Sequence, residues 1–315
     1  MRTGSLILAL LIPALLVLAC SADFESPSLV SDLRILAIST DPPEYVYPTD
    51  EKGIPMFEEG GGPPPLPVTT VTLLVANPEG GKFSYTLKAC ILDSNLACDA
   101  EGPSIEIGKG EAEPGELSIP VLLADQSFLQ KSAEADMVKG LFGFAVWLAG
   151  EVSSGDESVP FVKSFLFSPD YGQPKVPNKN PRITELKKGE KDKEIALSPD
   201  DETALAAKRD ERIRFLPVIP DEDRETYTVR NHKLQPEEFT EEMTVSFFGT
   251  CGTFEAEAKS EVLDVAFETE EDKKDKDLGV EWVAPAEDGP CTLWFVAADG
   301  RGGIGWRKLV VIVGP

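Results

Sequence analysis

From Thr69 onward the chain alternates apolar and polar residues with period two, and it repeats this in short runs separated by turn residues. Val71, Leu73 and Val75 form one such run, and Phe83, Tyr85, Leu87, Ala89 and Ile91 form another. Leu117, Ile119, Val121 and Leu123 follow, then Phe142, Phe144, Val146 and Leu148, then Phe161, Lys163, Phe165 and Phe167. Successive side chains of a strand point to opposite faces, so this period describes strands with one face in a core and the other in water. Asn77-Pro-Glu-Gly-Gly81 and Ser153-Ser-Gly-Asp156 supply turns at the spacing of an antiparallel sandwich. A weakly patterned helix over about residues 126–137 is expected to cap one end of it.

Residues 169–181 carry four prolines and no apolar period, which predicts a spacer between two domains. A second strand set lies beyond it, at 182–186, 212–216, 226–229, 243–248, 280–283, 292–297 and 307–313. Ser198-Pro199 followed by acids has the order of a helix start, so one or two helical turns are expected before the strand at 212. Asp299-Gly-Arg-Gly-Gly303 supplies glycines between two apolar runs and predicts a terminal hairpin. The fold class read from these patterns is all-β, with two tandem antiparallel β-sandwich domains at 32–168 and 182–315. The total of 315 residues suits two domains of ordinary size.

The start of the chain is different in kind. Arg2 is followed by an apolar run from Leu6 to Ala19, too short to span a bilayer and interrupted by Pro13, so it reads as a secretory signal. Val17-Leu18-Ala19-Cys20 resembles a bacterial lipobox, although Leu18 is bulkier than the residue usual there. The resemblance implies removal of residues 1–19, a diacylglyceryl thioether on Cys20 and an acyl group such as palmitate on its new amino end. Several acyl chains hold a protein on a membrane where one holds it only marginally. Ser21, not Asp, follows the cysteine, which by the sorting rule of enteric lipoproteins points to the outer membrane of the cell envelope. Residues 20–31 then read as the lipidated cysteine and a polar tether. Within residues 49–68 the stretch Glu58-Glu-Gly-Gly-Gly-Pro-Pro-Pro-Leu-Pro67 reads as a low-complexity surface loop.

Apart from Cys20 the cysteines are four, at Cys90, Cys98, Cys251 and Cys291, an even number that suits export to an oxidising compartment. Four cysteines allow three connectivities. Pairing Cys90 with Cys98 and Cys251 with Cys291 keeps each bond inside one expected domain, and neither pair has the spacing of a zinc clamp.

Leu33-Arg-Ile-Leu-Ala-Ile38 with Asp41-Pro-Pro-Glu44 behind a lipoprotein start, and Trp282-Val-Ala-Pro285 leading to Thr292-Leu-Trp294, Asp299-Gly-Arg-Gly-Gly303 and Trp306, resemble the uncharacterised Ig-like lipoproteins of Gram-negative bacteria. The resemblance covers about a third of the chain by motif and most of it by order of elements. It implies Ig-like sandwiches on a lipid anchor, and it carries no catalytic residues.

Charge and composition narrow the chemistry. With 30 Lys+Arg against 55 Asp+Glu the net charge is −25, which repels phosphate backbones and argues against a nucleic-acid partner. The single histidine, His232, excludes a two-histidine metal site and lies in a polar stretch. No Gly-x-Ser-x-Gly, phosphate-binding Gly-rich loop or Cys-x-x-Cys occurs, so no catalytic residue, metal ligand or cofactor is assigned beyond the lipid on Cys20. Two features keep a rival reading alive. The acids at Asp200-Asp201-Glu202, Asp221-Glu222-Asp223 and Glu268 to Asp277 suggest calcium, and Trp147, Trp282, Trp294 and Trp306 suggest a sugar platform. The expected function is a non-catalytic structural or interaction module, anchored by lipid and engaging other envelope proteins or surface polymers. The alternative is a calcium-dependent or carbohydrate-binding surface protein.

Overall fold

Phe83, Leu87, Val146, Leu148, Phe165 and Phe167 are all buried, and the strands that carry them belong to one of two facing sheets. The structure is a computed structural model of the chain and describes residues 26–49, 68–92, 97–136, 143–171, 175–197, 204–230, 235–261 and 277–315. Strands β1 (Arg34–Asp41), β2 (Glu44–Tyr47), β3 (Val68–Ala76), β4 (Phe83–Cys90), β5 (Ser104–Ala112) and β6 (Gly115–Leu122) precede helix α1 (Gln126–Ala135), and β7 (Phe144–Ser154) and β8 (Glu157–Pro169) follow it. They form a three-stranded sheet, β1-β3-β6, and a five-stranded sheet, β2-β8-β7-β4-β5. Val71, Leu73 and Val75 of the first sheet meet the phenylalanines of the second. The expected helix is present. Asp125 caps it by accepting from the amides of Ser127 and Phe128 at 2.9 and 3.1 Å, and Phe128 packs into the core.

The second half repeats the plan with β9 (Glu185–Lys188), β10 (Ile195–Ala196), β11 (Leu205–Lys208), β12 (Arg212–Val218), β13 (Thr226–Arg230), β14 (Pro236–Thr240), β15 (Thr244–Gly249), β16 (Thr253–Phe254), β17 (Ala258–Ser260), β18 (Val280–Val283), β19 (Gly289–Ala298) and β20 (Ile304–Gly314). Sheets β10-β9-β12-β18-β16 and β11-β20-β19-β15-β17 enclose a core in which Phe215, Phe247, Phe295 and Trp282 are fully buried. Strands β13 and β14 stand apart as a two-stranded ribbon. The all-β sandwich expectation holds. Where helical turns were expected before residue 212, β11 is instead a strand parallel to β20, its Ala207 buried in the core. Residues 198–203, where that helix would start, lie outside the described residues, as does most of the proline-rich loop.

Two expectations about spacing are corrected. The segment after β8 is no free spacer, because the Asn180 side chain donates to Thr40 O and accepts from the amide of Ile304, each at 2.9 Å. Gly305 is placed so that any side chain there would collide with the carbonyl of Pro181, which shows how closely this segment lies on β20. Likewise, residues 28–31 are not loose tether. Val30 N–H donates to Gly249 O, and Gly249 N–H donates to Ser28 O, both at 2.9 Å, so the chain entering the first sandwich first binds the end of β15 in the second.

Between the halves lies a third apolar cluster, in which Val30, Leu36, Ala37, Leu74 and Ala76 meet Trp294, Val296, Phe248, Ile304 and Trp306. These residues belong to β1 and β3 on one side and to β15, β19 and β20 on the other. Leu73–Ala76 of β3 and Leu293–Ala297 of β19 are buried at every position, the both-faces condition that turns alternation into a continuous apolar run, whereas β15 and β20 keep half-buried or exposed positions.

Candidate functional site

The two sandwiches are joined by charge as well as by apolar surface, and the centre of that joint is the tip of the last hairpin. Register from Gly289↔Val313 to Ala298↔Ile304 leaves Asp299–Gly303 as the turn. Asp299 Oδ1 accepts from the amides of Arg301 and Gly303 at 2.7 and 2.9 Å, while Gly300 and Gly302 take φ of 76° and 108°, which only glycine adopts without strain. Arg301 is thereby held at the tip. Its guanidinium bonds Glu241 Oε1 at 2.7 Å and Glu44 Oε2 at 3.2 Å, and it lies 4.1 Å from the centre of the Tyr227 ring.

Glu44 accepts further bonds from Lys175 Nζ at 2.5 Å and from the amide of Asn178 at 2.8 Å. Burial pushes its carboxyl up, but Lys175 and the other donors outweigh that and hold it below the usual carboxylate range. Burial raises Glu241 and Asp299, which have weaker compensation. Lys163 comes from an inward position of β8 and donates to Gly302 O at 2.6 Å. Burial lowers its ammonium to about 8, against the opposing pull of Asp299.

A cleft of about 850 Å³ opens over this joint. One wall is Ser164, Leu166 and Ser168 of β8, and the other is Thr226–Val229 of β13. Arg301, Gly302, Asp170, Lys175 and Val176 also line it.

The residues singled out by sequence are placed as follows. Cys20 and the signal segment lie outside the described residues, as do Asp200, Asp201, Glu202, His232 and residues 268–276. Cys90 is bonded to Cys98 and Cys251 to Cys291, with Cα atoms 5.5 Å apart in each pair. The acids Asp221, Glu222 and Asp223 form a short 3-10 turn in which Arg182 grips Asp223 and Glu222, and Arg224 binds Glu261. Asp277 is bound by both oxygens to Arg214 at 2.6 and 2.7 Å. Among the described residues no group of three or more His, Cys, Asp or Glu is arranged to hold a metal ion. No described helix is long and apolar enough to cross a membrane. The tryptophans do not share one platform: Trp282 fills the second core, Trp294 and Trp306 pack in the joint, and Trp147 is half-buried on β7. Trp306 also crosses the joint, donating from Nε1 to Glu116 Oε1 at 2.7 Å.

Sequence reading missed Glu44, Lys163, Arg301 and Tyr227 as a group. Signals were present for two of them. Lys163 stands where an apolar residue belongs in an inward-facing stripe, and an arginine between glycines at a hairpin tip is a side chain aimed outward.

No family model and no curated protein matches the chain. Among solved structures, red sea bream transglutaminase is similar over 90% of this chain and 31% of its own length, at 12% identity and a TM-score of 0.25. An Escherichia coli alpha-2-macroglobulin is similar over 93% of this chain and 22% of its own, at 8% identity and a TM-score of 0.26. The fibronectin(III)-like modules of Clostridium thermocellum CbhA are similar over 88% of this chain and 94% of theirs, at 10% identity and a TM-score of 0.22. The chain thus spans about a third or less of the first two.

Proposed function

We propose that this chain is an exported lipoprotein of the cell envelope, anchored through Cys20, whose two Ig-like sandwiches act as one rigid, non-catalytic interaction module. The docking of Ser28–Val30 on Gly249 carries this reading. Only six residue steps separate Cys20 from Ser26, about 20 Å at full extension, so a lipid on Cys20 would hold the Gly249 end of the molecule close to the membrane. In the β15–β19 ladder Gly249 pairs with Leu293 at one end and Thr244 with Ala298 at the other. The turn at Asp299–Gly303 lies about 17 Å further along the strands from Gly249, so an anchor near Gly249 leaves the turn and its cleft at the far end of that ladder. A joint that is both apolar and ion-paired keeps this orientation from being lost to hinge motion.

Expression of wild type and Cys20→Ala in a Gram-negative host, with fractionation and mass analysis of the amino end, tests the anchor. Wild type is expected in the membrane fraction with acyl mass on Cys20, and the variant in the soluble envelope fraction without it. A variant that stays in the membrane like wild type removes the reading.

A further inference from the structure

We propose that the free edge of β13 is a docking strand for an extended, basic and apolar segment of a partner protein, which would lie in the cleft between the sandwiches. This rests on the reading of the chain as an interaction module and names the site and the partner chemistry.

The ribbon's own register identifies the free edge. The Glu241 amide donates to Glu225 O, so by antiparallel alternation the pairs Tyr227↔Phe239 and Val229↔Glu237 are the hydrogen-bonded ones. The backbone groups of Thr226 and Thr228 consequently point away from β14. Thr226–Val229 line the cleft, so this edge faces into it, and the Thr228 backbone has no partner among the described residues. On the other side of the ribbon, Pro236 occupies the equivalent outward position and offers no N–H. One edge of the ribbon is blocked at its end by Pro236, which also lines the cleft, and the other is open along Thr226–Val229, which supply most of the ribbon's share of the lining.

The side chains around that edge set the occupant. Val229 is 44% exposed and Val176 64% exposed, and both line the cleft. Tyr227 presents a ring stacked on Phe239 at 5.9 Å. The cations of the cleft, Lys175 and Arg301, are each within bonding distance of carboxylates, and the exposed acids Glu237 and Glu238 of β14 keep the surroundings of the edge negative. An incoming strand alternates its side chains as β13 does, so apolar residues on one face meet Tyr227 and Val229 while lysines or arginines on the other meet Glu238 beside Thr228. The same acids oppose pairing of two copies of this chain through their ribbons.

The test uses the full-length chain purified in detergent, so its outcome does not depend on whether Cys20 carries lipid; the fractionation above tests that separately. Fluorescein-labelled peptides of alternating Lys and Val, of alternating Glu and Val, and of the Lys and Val sequence with alternate backbone amides N-methylated are titrated by anisotropy. The Lys and Val peptide is expected to bind, with the other two weaker by about tenfold or more. Thr228→Pro removes an N–H that the ribbon's own ladder does not use, and it is expected to abolish binding while the thermal midpoint and circular dichroism stay as in wild type. Equal binding of the N-methylated peptide, equal binding by Thr228→Pro, or binding by none of the peptides overturns the proposal. So does a dimer in sedimentation analysis that Thr228→Pro dissolves, which would make a second copy the occupant.

Discussion

Arg301 Nη2 lies 3.2 Å from Glu44 Oε2, although the two residues are 257 positions apart and belong to different sandwiches. Glu44 is 3% exposed and its partner Arg301 also binds the buried Glu241, so the contact is a buried ion-pair network across a domain joint. Taking such charges out of water is costly, and the network holds because each carboxylate has several donors. Loss of Arg301 leaves the buried Glu241 without its cation, whereas Glu44 keeps Lys175 and the Asn178 amide.

Arg301→Met is therefore expected to destabilise the chain by about 3–5 kcal/mol, mostly through the carboxylate of Glu241. Denaturant unfolding followed by tryptophan fluorescence and by far-UV circular dichroism checks this. Wild type should show one coincident transition, and the variant an earlier one that splits between the probes as the joint opens before the sandwiches melt. A variant with an unshifted midpoint would mean the network contributes nothing to holding the halves together.

Lys163 predicts a pH dependence of definite sign. Below about pH 8 the lysine is charged in both folded and unfolded chains, and the cost of burying that charge is present in full. Above it the unfolded chain, with its ordinary lysine near 10.5, holds more protons than the folded one, so stability rises with pH by up to about 3 kcal/mol. Tyr47, which burial raises to about 12, acts in the opposite sense above pH 10. Between pH 8 and about 10, urea midpoints of wild type should climb while those of Lys163→Met stay nearly flat. Parallel profiles would contradict the assignment.

The disulfides close loops of 8 and 40 residues, for which chain-entropy arguments give about 2.5 and about 4 kcal/mol. Cys291 lies on β19 three residues before Trp294, and the Thr250 amide donates to Thr292 O at 3.0 Å beside it. Loss of the second bond should accordingly weaken the joint as well as its own sandwich. Non-reducing peptide mapping should find Cys90 with Cys98 and Cys251 with Cys291. Calorimetry of the Cys251→Ser, Cys291→Ser double variant should give a larger loss than Cys90→Ser, Cys98→Ser, and it should lower the melting of both halves. Unchanged melting of the first sandwich would mean the apolar joint does not couple them.

Local pattern was legible wherever one face of a strand is dry and the other wet. The stripes of β4 and β8 read directly from alternation, and the last hairpin from its glycines, because these signals need only neighbouring residues. Strand β5 was missed because its positions are exposed or half-buried throughout, and β14 because all five of its residues are exposed, so neither has an apolar stripe to read. Leu73-Leu-Val-Ala76 and Leu293-Trp-Phe-Val-Ala297 are buried at every position. The chain itself thus carried a mark of strands covered on both sides, but not the identity of the second cover. That β1 and β3 of one sandwich lie on β19 and β20 of the other, that β2 and β11 pair in parallel with distant strands, and that Arg301 reaches Glu44 are relationships between segments far apart in sequence. Periodicity fixes which face of a strand avoids water. Which surface it meets there depends on the shape and charge of two completed sandwiches, and those exist only in the folded chain.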